Sequence, residues 1–305
     1  MADLRTRIAG LELGNPTMLA SGILGQTGES LARMVREGGA GAVVTKSIGA
    51  EPRNGHGSPC LLELDGGLLN AMGLPNPGIE DFGSEMKAAL ECGAPVIGSI
   101  FADNPGKFAM LAEKMERFGA HAVELNLSCP HAERYGLDMG SDPETVRSVV
   151  GAVKDAVKIP ILAKLSPMVP DIADLALAAQ EAGGDGVVAI NTLKAMAIEP
   201  ELRMPVLKNR VGGLSGPAIK PVGVRAVYEI AGKVDIPIIG VGGICAGRDA
   251  LEYMMAGASA VQIGSGVRSR GIDVFRKVSQ EISEFMDAHG YSKLGELIGQ
   301  ARGKN

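Results

Sequence analysis

Short apolar runs and amphipathic stretches alternate from one end of the chain to the other. Eight runs, at residues 17–20, 42–47, 95–101, 122–127, 161–165, 186–191, 236–240 and 260–263, are too short for helices. They read as strands buried on both faces. Between them the apolar positions recur at three- and four-residue steps, as in Phe108, Leu111, Ala112, Met115 and Phe118, and again in Val274, Val278, Ile282, Phe285 and Met286. That spacing predicts helices with one buried face. Asp142-Pro143 reads as an N-cap followed by an N1 proline, opening a helix to about residue 157.

Eight strand–helix units in a chain of this size predict a closed parallel (β/α)8 TIM barrel. An open doubly wound sheet is the competitor. It would place G-x-G-x-x-G after the first strand, where this chain has Ser21-Gly22-Ile23-Leu24-Gly25. Three connections, 48–77, 128–141 and 192–217, follow strands two, four and six and are too long for simple turns. Long connections in a compact domain commonly serve as lids or binding loops. No Pro/Ser-rich linker divides the chain, so residues 1–305 are expected to form one domain.

Composition narrows the function. Forty-three glycines in 305 residues is about twice the usual ~7%, and they fall at segment joints, where turns and close backbone approaches need them. A net charge of −5 without a Lys/Arg-rich block argues against a nucleic-acid partner. Cys60, Cys92, Cys129 and Cys245 show no CxxC spacing, so neither a disulfide framework nor a structural metal is expected. The N-terminus has no apolar signal core, and no apolar run could span a bilayer. A reduced, cytoplasmic protein is the expectation.

Barrel enzymes build their sites at the carboxyl ends of the strands. There this chain places Ser21, Thr45-Lys46-Ser47, Ser99, Asn126-Leu127-Ser128-Cys129-Pro130, Lys164, Asn191-Thr192, Gly242-Gly243 and Gly264-Ser265-Gly266. Two lysines and two asparagines closing apolar strands are costly unless each finds a partner. The glycines after strands seven and eight expose backbone N–H groups, and a helix N-terminus behind them would favour an anion. They suit a phosphate, although tight turns alone would also use glycine. Cys129 is either a small buried hydrophobe or a thiol in a polar mouth near its unperturbed pKa of ~8.5, fit for a general base. Its place just past a strand end, before Pro130 and a loop with His131, Glu133 and Arg134, favours the second.

As an ordered set these residues resemble the class 1 dihydroorotate dehydrogenases over nearly the whole chain. The carriers are Leu19-Ala20-Ser21-Gly22, Thr45-Lys46-Ser47, Glu51-Pro52-Arg53 and Leu69-Asn70-Ala71-Met72-Gly73-Leu74-Pro75-Asn76. They continue through Asn126-Leu127-Ser128-Cys129-Pro130, Lys164-Leu165-Ser166-Pro167, Ile190-Asn191-Thr192 and Gly212-Gly213-Leu214-Ser215-Gly216-Pro217. Gly240-Val241-Gly242-Gly243-Ile244 and Gln262-Ile263-Gly264-Ser265 close the series. Loops two and six look most like the NAD-linked class 1B catalytic subunit of archaeal type. The quinone-linked class uses a serine base after a hydrophobic N-terminal extension, and this chain matches neither feature.

The resemblance implies oxidation of dihydroorotate to orotate in pyrimidine biosynthesis, with FMN as cofactor and Cys129 as the base at C5. It implies substrate contacts from Lys46, Asn70, Ala71, Met72, Gly73, Leu74, Asn126, Asn191 and Thr192. FMN contacts would come from Ser21, Lys46, Ser47, Ser99, Asn126, Lys164, Ile190, Gly216, Gly242, Gly243, Gly264 and Ser265. Residues 128–141 would close over the substrate. It further implies a separate electron-transfer subunit with FAD and a [2Fe–2S] cluster, and a homodimer within a heterotetramer.

Two positions depart from the family pattern. His131 stands where many members have asparagine, and Cys-Pro-His is similar to the flavin barrel of dihydropyrimidine dehydrogenases acting on uracil and thymine. Ser99 stands where the family often has an asparagine touching FMN. A cofactor-free phosphate-binding lyase or isomerase on the same barrel remains the alternative from another class.

Overall fold

The computed structural model describes residues 2–127 and 140–303. Each of the eight predicted runs supplies one strand of a closed parallel barrel. The strands are β1 (Thr17–Leu19), β2 (Ala42–Val44), β3 (Val96–Ile100), β4 (Ala122–Asn126), β5 (Ile161–Leu165), β6 (Gly186–Ala189), β7 (Ile238–Val241) and β8 (Ala260–Ile263). Each pairs with the next, and β8 returns to β1. The surrounding helices are α1 (Gly28–Arg36), α2 (Gly83–Leu90), α3 (Pro105–Arg117), α4 (Pro143–Ala156), α5 (Ile172–Glu181), α6 (Lys220–Ile230), α7 (Gly247–Ala256), the short α8 (Gly266–Arg270) and α9 (Val274–His289).

Local chemistry starts the helices where the sequence marks them. The Asp142 carboxylate accepts from the Thr145 N–H at 2.9 Å ahead of Pro143, and Asn104 does the same for Lys107 at 2.9 Å ahead of Pro105. Such a cap is worth about 1 kcal/mol, and the proline gives up an N–H that the first turn would leave unpaired anyway.

Alternation along the strands sorts residues between two compartments. Val123 and Leu125 of β4, Ala163 of β5 and Val261 of β8 face the helices in the outer core. The barrel interior is a second apolar cluster of Met18, Ala42, Val44, Ile97, Ala122, Leu162, Val188, Ile239 and Ala260. An antiparallel hairpin, Thr6–Ile8 with Leu11–Leu13, inserts Ile8 and Leu13 into that cluster. The Thr6 hydroxyl donates to the Ser259 carbonyl just before β8, so the hairpin closes the barrel at the amino ends of its strands. Alanines at 42, 122 and 260 leave the space it fills.

Two of the long connections contain regular structure. Leu61–Leu64 and Gly67–Asn70 from the second connection join Leu193–Met196 and Val211–Ser215 from the sixth in one four-stranded antiparallel sheet. The pairings Gly213↔Asn70 and Lys194↔Gly213 align the two connections, and Leu69, Ala71 and Leu207 form a small apolar seam between them. The sheet follows directly from β6 through Ile190, Asn191 and Thr192, and so roofs the carboxyl end of the barrel. A smaller hairpin, Ile198–Glu199 with Met204–Pro205, extends from it.

Candidate active site

Above the apolar interior the barrel turns polar, one inward-facing position at a time. β4 climbs from Ala122 through Glu124 to Asn126, β5 from Leu162 to Lys164, and β8 from Ala260 to Gln262. The first polar layer is ionic. Lys164 Nζ donates to Glu124 Oε1 at 3.1 Å and to Gln262 Oε1 at 3.2 Å, and Gln262 Nε2 donates to Glu124 Oε2 at 2.6 Å. All three are buried, Glu124 and Gln262 completely.

The next layer is a relay of hydroxyls and amides. Ser47 Oγ lies 3.1 Å from Ser21 Oγ and 2.9 Å from Ser99 Oγ, and accepts from Asn126 Nδ2 at 3.2 Å. Asn191 Nδ2 donates to Asn126 Oδ1 at 3.3 Å, while Asn191 Oδ1 accepts from the Thr192 N–H at 2.8 Å. From the roof, Asn70 Nδ2 donates to the Gly213 carbonyl at 3.1 Å. Five strand ends are thereby tied together. Ser99 is fully buried and reaches the mouth only through Ser47.

Lys46 is the exception to this pairing. Its side chain is 9% exposed, yet among the described residues its ammonium has neither an ion pair nor a hydrogen bond. Burial pushes its pKa down, because desolvation penalises the charged form. An ammonium left unpartnered among the described residues at the end of an apolar strand suits an anion.

The glycines after β7 and β8 form a backbone cradle. Gly216, Gly242 and Gly243 have φ of +106°, +130° and +70°, conformations that favour glycine. A Cβ on Gly243 would lie 2.7 Å from the Gly216 carbonyl oxygen. The N–H groups of Gly243, Gly264 and Ser265 make no hydrogen bond among the described residues, and Gly243 is buried. Donors of this kind suit phosphate oxygens. The expected contribution of a helix behind Gly242-Gly243 is corrected, however. Asp249 accepts from the Cys245 and Ala246 N–H groups at 2.9 Å each, and Glu281 accepts from Gly247. The N-terminus of α7 is already capped by carboxylates.

The remaining predicted residues fall into two groups. Ala71, Met72, Gly73 and Leu74 follow the roof strand, where Gly73 and Leu74 both take positive φ and Met72 is exposed. Ile190 is buried, its N–H donating to the Val241 carbonyl at 3.0 Å. Cys129, His131, Glu133 and Arg134 lie outside the described residues. Sequence reasoning missed Glu124 and Tyr253. The signal for Glu124 was a lone carboxylate inside an otherwise apolar strand. Tyr253 is buried and donates to the Gly242 carbonyl at 2.8 Å, fixing the turn after β7.

The polar mouth, the buried Lys46 ammonium unpartnered among the described residues and the glycine cradle fit a flavin phosphate and an anionic substrate, and comparison with known proteins decides the family. The dihydroorotate dehydrogenase family model matches residues 3–286. The chain belongs to the dihydroorotate dehydrogenase family. It is 52% identical over 301 residues to the dihydroorotate dehydrogenase B (NAD(+)) catalytic subunit of Pyrococcus furiosus, covering 98% of this chain and 99% of the relative. It is 51% identical over 302 residues to the protein so named from Methanocaldococcus jannaschii, covering 98% of each. The crystal structure of DHODH from Eimeria tenella in complex with ferulenol matches 99% of this chain and 89% of its own, with a TM-score of 0.86 at 24% identity. That likeness bears on the barrel fold. Dihydroorotate dehydrogenase family membership also sets aside the cofactor-free lyase or isomerase reading.

Proposed function

We propose that the chain oxidises dihydroorotate to orotate, using FMN held in the barrel mouth, as a step of pyrimidine nucleotide synthesis. The observation that carries this reading is Lys46, a buried ammonium without a partner among the described residues, at a strand end of the same barrel mouth as the coupled amides of Asn126 and Asn191. It offers a charge to the substrate carboxylate. Asn70, Asn126 and Asn191, with Thr192, offer both donors and acceptors to the amide and imide edges of a pyrimidine. Residues 71–74 line the same side from the roof. Gly216, Gly242, Gly243, Gly264 and Ser265 would receive the phosphate, with Ser21, Ser47, Ser99 and Ile190 supporting the ring side.

When bound, the flavin supplies a two-electron acceptor. Lys164 would present its ammonium to the flavin ring edge. Cys129 would take the C5 proton as the hydrogen at C6 leaves with its electron pair, forming the C5=C6 bond of orotate. Its assignment rests on the resemblance of Asn126-Leu127-Ser128-Cys129-Pro130 to the family's motif. Residues 128–141 would exclude water during that step.

Electrons would leave through a separate subunit carrying FAD and a [2Fe–2S] cluster, with NAD as final acceptor. Among the described residues no group of three His, Cys, Asp or Glu is placed to hold a metal ion. The exposed apolar side chains Ile198, Leu202 and Met204 at the roof hairpin support assembly as a homodimer within a heterotetramer. No helix among the described residues is long and apolar enough to cross a membrane, and the proposed setting is the cytoplasm.

The test is spectroscopic. Purified protein should be yellow, release FMN on denaturation, and bleach when dihydroorotate is added without oxygen. A colourless protein that takes up no FMN would sink the reading. Bleaching by dihydrouracil but not by dihydroorotate would transfer it to a pyrimidine without the carboxylate, the reaction His131 keeps in view.

A further inference from the structure

The mechanism above makes no use of Glu124, although it is a fully buried carboxylate directly beneath the site. Burying a charge is costly even when it is paired, and apolar residues of similar volume commonly stabilise a core as well or better. The layer below is entirely apolar, so the fold has no general need for a carboxylate here. The strand register shows what it supports. Glu124 lies opposite Leu162, whereas Lys164 lies opposite Asn126, one inward position nearer the mouth. The ammonium is therefore set between the carboxylate below and the flavin side above.

An ammonium has three donors. Two are taken, by Glu124 Oε1 and Gln262 Oε1, and the Gln262 amide is itself held by Glu124 Oε2. The triangle fixes Lys164 from two directions and leaves one N–H for a ligand acceptor. It also makes the layer formally neutral, since the cation carries its own counter-charge.

We propose that Glu124 is a positioning residue that, through Lys164, sets the charge presented to the flavin and so the balance between its oxidised and reduced forms. This rests on the FMN reading. Reduced FMN carries one more negative charge than oxidised FMN at neutral pH. With Glu124 present the neutral triangle favours neither form strongly; without it, an uncompensated ammonium favours the reduced one. The choice of a paired rather than a bare lysine keeps the reduced flavin able to pass its electrons onward.

The test is a potentiometric titration of the FMN-loaded full chain, unaltered and as Glu124→Gln and Glu124→Asp. Glu124→Gln should bind the reduced over the oxidised flavin at least tenfold more strongly than the unaltered protein, a midpoint about 30 mV more positive for a two-electron couple. Glu124→Asp, which keeps the charge, should stay within about threefold. A midpoint unchanged in Glu124→Gln, or moved equally by both variants, would overturn the proposal. Should Glu124→Gln not fold, Glu124→Asp carries the test, and a tenfold shift in it would overturn the proposal. If the unaltered protein binds no FMN, the functional reading fails together with this one, and that result is seen before any variant is made.

Discussion

The lower and upper halves of the barrel interior are built on the same eight strands and obey opposite rules. Below, Met18, Val44, Ile97, Leu162, Val188 and Ile239 close around the hairpin residues Ile8 and Leu13, without a polar side chain. Above, Glu124, Lys164 and Gln262, then Ser47, Asn126 and Asn191, are joined by hydrogen bonds. The lower half gains from removing apolar surface from water, a non-directional effect. The upper half holds groups whose desolvation costs free energy unless geometry returns it. Stability is expected to reside in the first and chemistry in the second.

On the proposed mechanism Cys129→Ala breaks that comparison most sharply, because it would remove the base alone. Flavin reduction by dihydroorotate should slow by about 10²–10⁴-fold, with the FMN spectrum and thermal midpoint unchanged; stopped-flow absorbance reads the rate, and an unaltered rate removes Cys129 from the mechanism. Leu162→Ala is its mirror image. It should cost about 2–5 kcal/mol in urea unfolding, while activity per folded molecule stays near that of the unaltered protein.

Gly243→Ala tests whether the cradle belongs to the upper half. The added Cβ would meet the Gly216 carbonyl at 2.7 Å on a backbone with φ of +70°, so FMN affinity should fall about tenfold or more, since one donor of a charged group is worth about 1.5–3 kcal/mol. Fluorescence titration of flavin-free protein measures it, and unchanged affinity would place the phosphate elsewhere.

Lys46 sharpens the comparison further, since here function is expected to cost stability. Its ammonium pKa is lowered by burial. Below that depressed value the group is charged and holds the carboxylate, so orotate affinity should weaken as pH rises through it. Stability of the ligand-free protein should move the other way. The unfolded chain binds more protons between the folded value and the ordinary ~10.4, and stability rises with pH across that window. Lys46→Met should therefore lose orotate binding by isothermal titration while melting no lower than the unaltered protein. A lower melting temperature would show that Lys46 supports the fold.

The barrel was legible because both-face burial writes itself into short apolar runs, and each run became a strand. Lys46, Asn126 and Asn191 were legible because a polar residue ending such a run has few structural reasons to be there. Glu124 escaped because its partners lie on β5 and β8, and nothing in the local sequence of β4 announces them. The roof escaped for a related reason. Leu61–Leu64 and Val211–Ser215 are short and half exposed, and pairing across distant connections leaves no local period. The N-terminus of α7 was misjudged because Asp249, three residues inside the turn, already occupies its donors.

The roof sheet also orders events in time. Asn70 is bonded to Gly213 across 143 positions of chain, and the two halves of the roof meet at that seam. As the polypeptide emerges from the ribosome, the strands at 61–64 and 67–70 can pair only with each other, and the edge of 67–70 must wait for its partner at 211–215 until more than two thirds of the protein has been made. The roof is thus a late product of folding, and a nascent chain halted after β5 would carry five of the eight barrel strands and only one half of the roof sheet.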